Sequence, residues 1–385
     1  MGVFDLTIYF YVLTVPVLCA VLLKYRLTWN GRLLCGGGKL YLLVVCFLLG
    51  IIMCFRSVSV GTDTGGYAIN VYQDIIARYS FDDMLDDTRE VVKAPLYWWM
   101  FWLVSYVSAD PQMYILVESL IIITGMGYFI YKSGVNIPLA VLTFILTLQY
   151  FLSFNIARQF VGIVLGINAF LLLYKSFKNI WGWLLLLLAI GIHVVCASFI
   201  IPIFFMYLSQ HLNYRKLLLS IFTLALAIGP FSYAIIELIL VDMLGGDTIY
   251  IGYIEGNGDV IRGQANASGM AVFGQALGYL SMGLLYVYAI NRYKLPYKGT
   301  LTYSILPSTI FFAVLWLVFY DTVLIDRFLM GFRALQIAFI PSVIFLFPRT
   351  ERWVLIGVMC VALTIYSLRM LALGQMSIFP YSFGF

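Results

Sequence analysis

The sequence predicts an all-α, polytopic integral membrane protein. Three observations carry this. The 385-residue chain is 63% hydrophobic and only 11% charged, whereas soluble domains carry roughly 25% charged residues. Its mean hydropathy is +0.98. Its apolar residues fall in repeated runs of about 17 or more, the length that takes a helix across a bilayer core of roughly 30 Å. Lipid offers no partner to a backbone N–H or C=O, so each span must satisfy its own, as a helix does. A β-barrel would show short segments of alternating polarity, which this sequence lacks.

Taken in order, the runs predict helices over 6–23, 40–55, 112–131, 137–153, 156–174, 180–192, 194–208, 216–240, 269–290, 303–320, 325–347 and 353–373. That makes about 12 transmembrane helices in a single membrane domain, 1–385. The first run has no basic leader and no small-residue cleavage site after it, so it reads as a retained span. The stretches 180–192 and 194–208 are each short. They read as two tilted short helices or as one hairpin broken near His193. Six cysteines, including Cys35, Cys54 and Cys196, show no ligand spacing and suit small apolar packing.

Charge gives the sidedness. Fourteen of the 23 basic residues fall in one set of short loops, from Lys24, Arg26, Arg32 and Lys39 through Lys132, Lys175, Lys178, Arg215, Lys216, Arg292, Lys294 and Lys298 to Arg349 and Arg352. Loops rich in Lys and Arg stay cytoplasmic. The opposite set holds nearly all the acids, Asp63, Asp74, Asp82, Asp83, Asp86, Asp87 and Glu90 among them. Both termini then fall on the extracytoplasmic side. So do two long loops, about 56–111 and 242–268, and long loops in compact proteins are commonly functional. This arrangement holds only if Leu96–Val107 does not cross. Its length and its Trp and Tyr content suit a re-entrant or interfacial helix.

The polar residues that could carry chemistry lie on the outer half. Arg56 is followed by Gly61-Thr62-Asp63-Thr64-Gly65-Gly66-Tyr67. The glycines permit sharp turns or close approach, and Asp63 and the threonines offer hydrogen bonds. The segment reads equally as a turn with a helix cap. Asn155, Arg158 and Gln159 stand at i, i+3 and i+4 near a helix start, so they are expected on one face. A guanidinium beside free helical N–H groups suits an anion. The alternative is an Arg that snorkels to headgroups. Gly162 and Gly166 continue that face and suit close helix packing. His193 is either a structural residue or a base poised near neutrality. Asp321, Asp326, Arg327 and Arg333 form the last group. Arg333 falls inside a helix, where a charge must meet an acid or a cavity, and Glu118 and Glu237 are candidate partners. Motifs for nucleotide or metal chemistry, GxxxxGK[ST], GxGxxG and HExxH, are missing from the sequence, and it has two histidines.

The ordered pattern Arg-x4-Gly-Thr-Asp-Thr-x2-Tyr at 56–67, Asn-x2-Arg-Gln at 155–159, His193 near Ser198, and Arg327 followed by Pro341 resembles the EpsG-like family of Wzy-type exopolysaccharide and O-antigen polymerases. The resemblance implies a GT-C-like glycosyltransferase of the bacterial inner membrane. Such an enzyme acts at the extracytoplasmic face on undecaprenyl-diphosphate-linked repeat units. It moves the growing chain to the non-reducing end of a new unit. The resemblance implies no cofactor, no metal and no nucleic acid. Its expected partners are the lipid-linked donor and acceptor, membrane lipids, a chain-length regulator and a flippase. Arg158, His193 and Asp63 are the catalytic candidates. Arg56, Thr62, Tyr67, Asn155, Gln159, Asp326, Arg327 and Arg333 are the substrate-binding candidates. An O-antigen ligase would share the donor logic, and a lipid-linked glycan flippase is the further alternative.

Overall fold

The computed structural model describes residues 3–22, 37–61, 63–78, 80, 83, 94–213, 216, 218–221, 223, 258–318, 323–372, 378 and 380–384. For 3–4, 37, 258–273, 275, 317–318 and 323–327 it describes the backbone alone. Among these residues the secondary structure is helical, apart from turns and one isolated antiparallel bridge between Arg56 and Phe383. The chain forms two compact units, Met1–Phe199 with Ala334–Phe385, and Ile200–Arg333.

The first unit holds α1 (Val3–Leu22), α2 (Gly37–Cys54), a π-helix (Gly66–Ile76), α3 (Pro95–Ser105), α4 (Pro111–Ser133), α5 (Ile137–Leu146), α6 (Gln149–Asn155), α7 (Ala157–Lys175), α8 (Ile180–Ile192) and a 3₁₀ turn (Val194–Phe199). The second holds α9 (Ile200–His211), α10 (Gly258–Arg292) and α11 (Leu301–Val318). Next come α12 (Val323–Ile344) and α13 (Arg349–Ala372), and α13 belongs to the first unit.

Local chemistry explains several boundaries. Asp110 accepts from the Gln112 N–H at the start of α4, and Asn136 accepts from the Leu139 N–H at the start of α5. Gly134, at φ +70°, ends α4 in the left-handed conformation that glycine tolerates best. Asn179 caps α8 through the Trp181 N–H.

Five described helical segments are long and apolar enough to cross a membrane: 5–22, 111–133, 157–175, 194–211 and 349–372. The bent pair α5–α6 makes a sixth if counted as one span, and four further apolar helices are shorter. The described spans therefore account for part of the 12 expected, and most of the helix expected over 216–240 lies outside the described residues. The chain is a multi-pass membrane protein. In the stretch expected to be re-entrant or interfacial, α3 has 11 residues, about 16 Å at the helical rise of ~1.5 Å per residue. Its face is divided: Trp99 is exposed, whereas Tyr97, Trp98 and Phe101 are fully buried, so only part of its aromatic set can face headgroups.

Two expectations need correction. The run 137–153 is not one helix. It breaks at Thr147–Leu148, where Leu148 takes φ +63°, and α5 and α6 are bent by 50°. A second break, at Ile156, separates α6 from α7. Asn155 therefore ends one helix while Arg158 and Gln159 open the next, and the three do not share a continuous helical face. No Gly or Pro marks either break. Separately, α10 begins at Gly258, so its backbone extends into the long loop expected over 242–268.

In the first unit, α2 packs on α4, α4 on α7 and α7 on α8, while α1 lies against α2 and α5. Small residues set the spacing. A Cβ at Gly162 would lie 2.6 Å from Cys196 Sγ, and one at Gly166 would lie 2.4 Å from the Phe199 ring. These contacts draw the 3₁₀ turn that follows His193 onto α7. In the second unit, Phe205 of α9 packs edge-on against Phe311 of α11 at 5.1 Å, and Tyr303 donates to the Leu212 carbonyl at 2.9 Å. Overpacking a tight contact costs about 1–3 kcal/mol. Gly166→Val should lower the melting temperature of the detergent-solubilised protein accordingly, and an unchanged transition would show that the α7 contact has slack.

Candidate functional site

The site grows from the break at Ile156. An interrupted helix leaves carbonyls without intrahelical partners. The Phe154 carbonyl accepts instead from Thr64 Oγ1, at 3.0 Å. The loop comes close enough because residue 61 has no side chain. A Cβ there would stand 2.5 Å from the Phe154 oxygen, and Gly61 holds φ +97°. The Gly-Thr-Asp-Thr segment thus docks on the Phe154 carbonyl, and at Gly61 what approaches closely is backbone.

Docking brings Tyr67 to Arg158. Arg158 Nη2 donates to the Tyr67 hydroxyl at 3.0 Å, and its guanidinium lies 4.7 Å from the centre of the Tyr67 ring. Both side chains are half-buried. Arg158 sits in the first turn of α7, whose N-terminus is capped by no side chain. Gln159 is buried, and Asp63 and Asn155 are half-buried on the two sides of the dock. His193 interrupts the chain between α8 and the 3₁₀ turn in extended backbone, φ −152° and ψ 115°. Its Cβ lies 3.5 Å from where a Cβ on Gly162 would stand. Gly162 is four residues past Arg158, so His193 meets α7 one turn, about 6 Å, along the helix from it. The 180–208 stretch is therefore interrupted at His193, with α8 before it and the 3₁₀ turn and α9 after it.

Beneath Tyr67 lies a buried polar network. Arg56 and Glu118, with side chains 0% and 1% exposed, face each other at 3.7 Å. Arg56 Nη1 donates to the Met53 carbonyl and to Ser119 Oγ, each at 2.8 Å. Tyr97 donates to Glu118 Oε1 at 2.5 Å and stands 2.6 Å from the Tyr114 hydroxyl, which reaches the same oxygen at 3.3 Å. Trp98 stacks on Tyr114, ring centres 6.2 Å apart, and meets Tyr67 at 5.9 Å. Arg56 also lies over the Phe154 ring at 5.1 Å. Tyr72 ties the π-helix to this layer by donating to the Ser108 carbonyl. Burial, reinforced by the Asp110 carboxylate, pushes the Tyr72 phenol up to about 12, so it stays a donor at neutral pH.

A segment near residue 380 closes the far side of the loop. Ser57 N–H donates to the Ser382 carbonyl at 2.9 Å, and Gly384 N–H donates to the Phe55 carbonyl at 3.0 Å. Tyr381 takes Asp5 Oδ1 on its N–H at 2.9 Å and donates its hydroxyl to the Ile52 carbonyl at 2.5 Å. Residues near both ends of the chain thus meet at the end of α2 that carries Arg56.

Of the sequence candidates, Asp63, Tyr67, Asn155, Arg158, Gln159 and His193 belong to the first unit, around the dock and the start of α7. Arg56 belongs to the same unit but lies below the site, fully buried against Glu118, where a ligand cannot touch it. Glu118, offered from sequence as a partner for Arg333, pairs with Arg56. Arg333 belongs to the second unit, 4% exposed, with its guanidinium 5.2 Å from the Trp316 ring centre. Thr62 and Asp321 lie outside the described residues, as do the side chains of Asp326 and Arg327. Sequence reasoning missed Tyr97, Tyr114 and the 381–384 segment. A lone acid within an apolar helix was a usable signal for Glu118, whereas nothing in the composition marked the tail.

A multi-pass, all-helical membrane protein, with an arginine and a tyrosine held at a helix break inside one unit, is the class these features define. A family model described as the EpsG family matches residues 39–383, and the chain belongs to that family. The family carries a polymerase-type role in exopolysaccharide or O-antigen assembly. No curated protein and no solved structure matches the chain.

Gly61→Ala adds a Cβ where backbone blocks it and forces an L residue to positive φ, a conformation that costs roughly 1–3 kcal/mol. The expected outcome is loss of long surface glycan with the protein still inserted in the membrane. Tyr381→Ala should act on the same loop from the other side. Limited proteolysis is expected to cut faster between 55 and 61, with the other fragments unchanged.

Proposed function

We propose that the protein polymerises undecaprenyl-diphosphate-linked repeat units at the extracytoplasmic face of the bacterial inner membrane, as a Wzy-type glycosyltransferase of GT-C-like architecture. The observation that carries this reading is the placement of Arg158. It opens an uncapped helix, is oriented by Tyr67 from the Gly-Thr-Asp-Thr loop, and stands one turn from His193.

In the reaction an acceptor hydroxyl attacks the anomeric carbon of the donor chain. A new glycosidic C–O bond forms, the C–O bond to the lipid diphosphate breaks, and the hydroxyl proton leaves. Charge develops on the departing diphosphate, and preorganised donors aimed at such charge are the largest lever available. Arg158, set at the positive end of the α7 helix dipole, supplies such a donor. His193 or Asp63 takes the proton. Asn155 and Gln159 orient sugar or phosphate. Arg327 and Arg333 are further candidates for phosphate. An apolar hollow of about 330 Å³ between α3 and α8, lined by Leu96, Trp181, Leu184 and Leu188, gives a lipid tail somewhere to run beside the site. A flippase and a chain-length regulator are the proposed partners.

Arg158→Ala, expressed in a strain lacking the native protein, should reduce surface glycan to single repeat units at unchanged protein level. Persistence of long chains would remove Arg158 from the reaction. Loss of all attachment to lipid A, with lipid-linked polymer intact, would mark a ligase instead.

A further inference from the structure

The first unit spends two opposite charges in a place no ligand reaches. Arg56 and Glu118 are 0% and 1% exposed, and Glu118 lies seven residues into the apolar helix α4. A buried ion pair is weak as a source of stability, because desolvation offsets the attraction, and apolar residues of similar volume often serve as well. The contacts of this pair show what else it does.

They reach Arg158 from both flanks. On one flank Glu118 accepts from Tyr97 and Tyr114. Tyr114 stacks on Trp98, Trp98 meets Tyr67, and Tyr67 accepts from Arg158. On the other flank Arg56 covers the Phe154 ring, and the Phe154 carbonyl is the docking point of Gly61 and Thr64. Phe154 precedes the break from which α7 and Arg158 start. The two routes begin at one ion pair and end on the two sides of one guanidinium. The charge of Arg158 also bears on Glu118 and Tyr114 electrostatically.

We propose that Glu118, with Arg56, is a positioning pair for the anion site: it fixes the angle between the Gly61–Tyr67 loop and the start of α7, and so the place of the Arg158 guanidinium. Glu118 touches no substrate and acts through Tyr114, Trp98 and Tyr67. Arg56 acts through Phe154. The inference rests on the proposed function only for what Arg158 binds.

The test replaces the pair together, Arg56→Met with Glu118→Leu, so that no buried charge is left alone. Hydrogen exchange on the purified full chain reads the geometry without reference to the reaction. The expected result is lost protection at 60–67 and 154–160 with the rest of the chain unchanged. Unchanged protection in those two segments overturns the proposal. So does loss of protection throughout, because the pair would then hold the whole unit and not the site. Polymerisation of a lipid-linked repeat unit is measured in parallel. A displacement of about 1 Å in a reacting constellation costs roughly 100-fold, and a loss of that order in kcat/KM is expected. Long chains made at the wild-type rate by the double variant overturn the proposal even where exchange has changed. If the wild-type protein extends no lipid-linked unit, the functional reading fails, and hydrogen exchange alone decides the role of the pair.

Discussion

A helix that stops inside a membrane protein exposes backbone groups that lipid cannot satisfy, and something must be brought to them. At Phe154–Ile156 that partner is the 61–64 loop, with the Thr64 hydroxyl on the Phe154 carbonyl and Gly61 pressed against it. The rest of the site follows from this one contact. Without the break, Arg158 would be a residue inside a continuous helix. Without the dock, Tyr67 would have no reason to meet it. The Gly-Thr-Asp-Thr segment and the Asn-x2-Arg-Gln segment are almost a hundred residues apart in the chain, yet each completes the other.

The elements readable from sequence were those whose signal is local. Apolar run length placed α1, α2, α4, α7, α8 and α13 within a few residues of their observed ends. Charge asymmetry made 96–107 an expected re-entrant or interfacial helix, and α3 has 11 residues there. Gly162 and Gly166, read as close-packing positions, are where Cys196 and Phe199 approach α7. The unreadable parts depend on partners distant in sequence. Leu148 takes a left-handed conformation that a leucine resists, with no Gly or Pro beside it, so hydropathy continued the helix through it. Arg56 was read as a substrate-binding candidate at the head of a polar motif, and only packing shows that it turns in to Glu118 while Gly61 and Thr64 dock on the Phe154 carbonyl.

That inversion has a physical logic. Arginine is long and keeps its charge, so it can begin in a loop and carry that charge to the layer below. Its Nη1 donates to the Met53 carbonyl and to Ser119 Oγ, and its Nη2 faces Glu118 at 3.7 Å. Tyr97 and Tyr114 both reach Glu118 Oε1, and their rings continue the apolar core. A polar network of this kind holds its shape only while each member is present. It is therefore better suited than hydrocarbon packing to fix one orientation of the helices around it.

The segment at 381–384 has a consequence in time. It pairs with residues 55–57, and the Ser59–Ser382 contact spans 323 positions. Helices α1 and α2 enter the membrane early in synthesis, but the loop at the end of α2 cannot acquire these partners until residues 381–384 have left the ribosome. The loop that carries the cationic site therefore gains these contacts only after α13 has been made. A chain in which α1 and α2 have inserted but 381–384 has not yet been made lacks these contacts, so insertion of the first helices and closure of the loop are separate events.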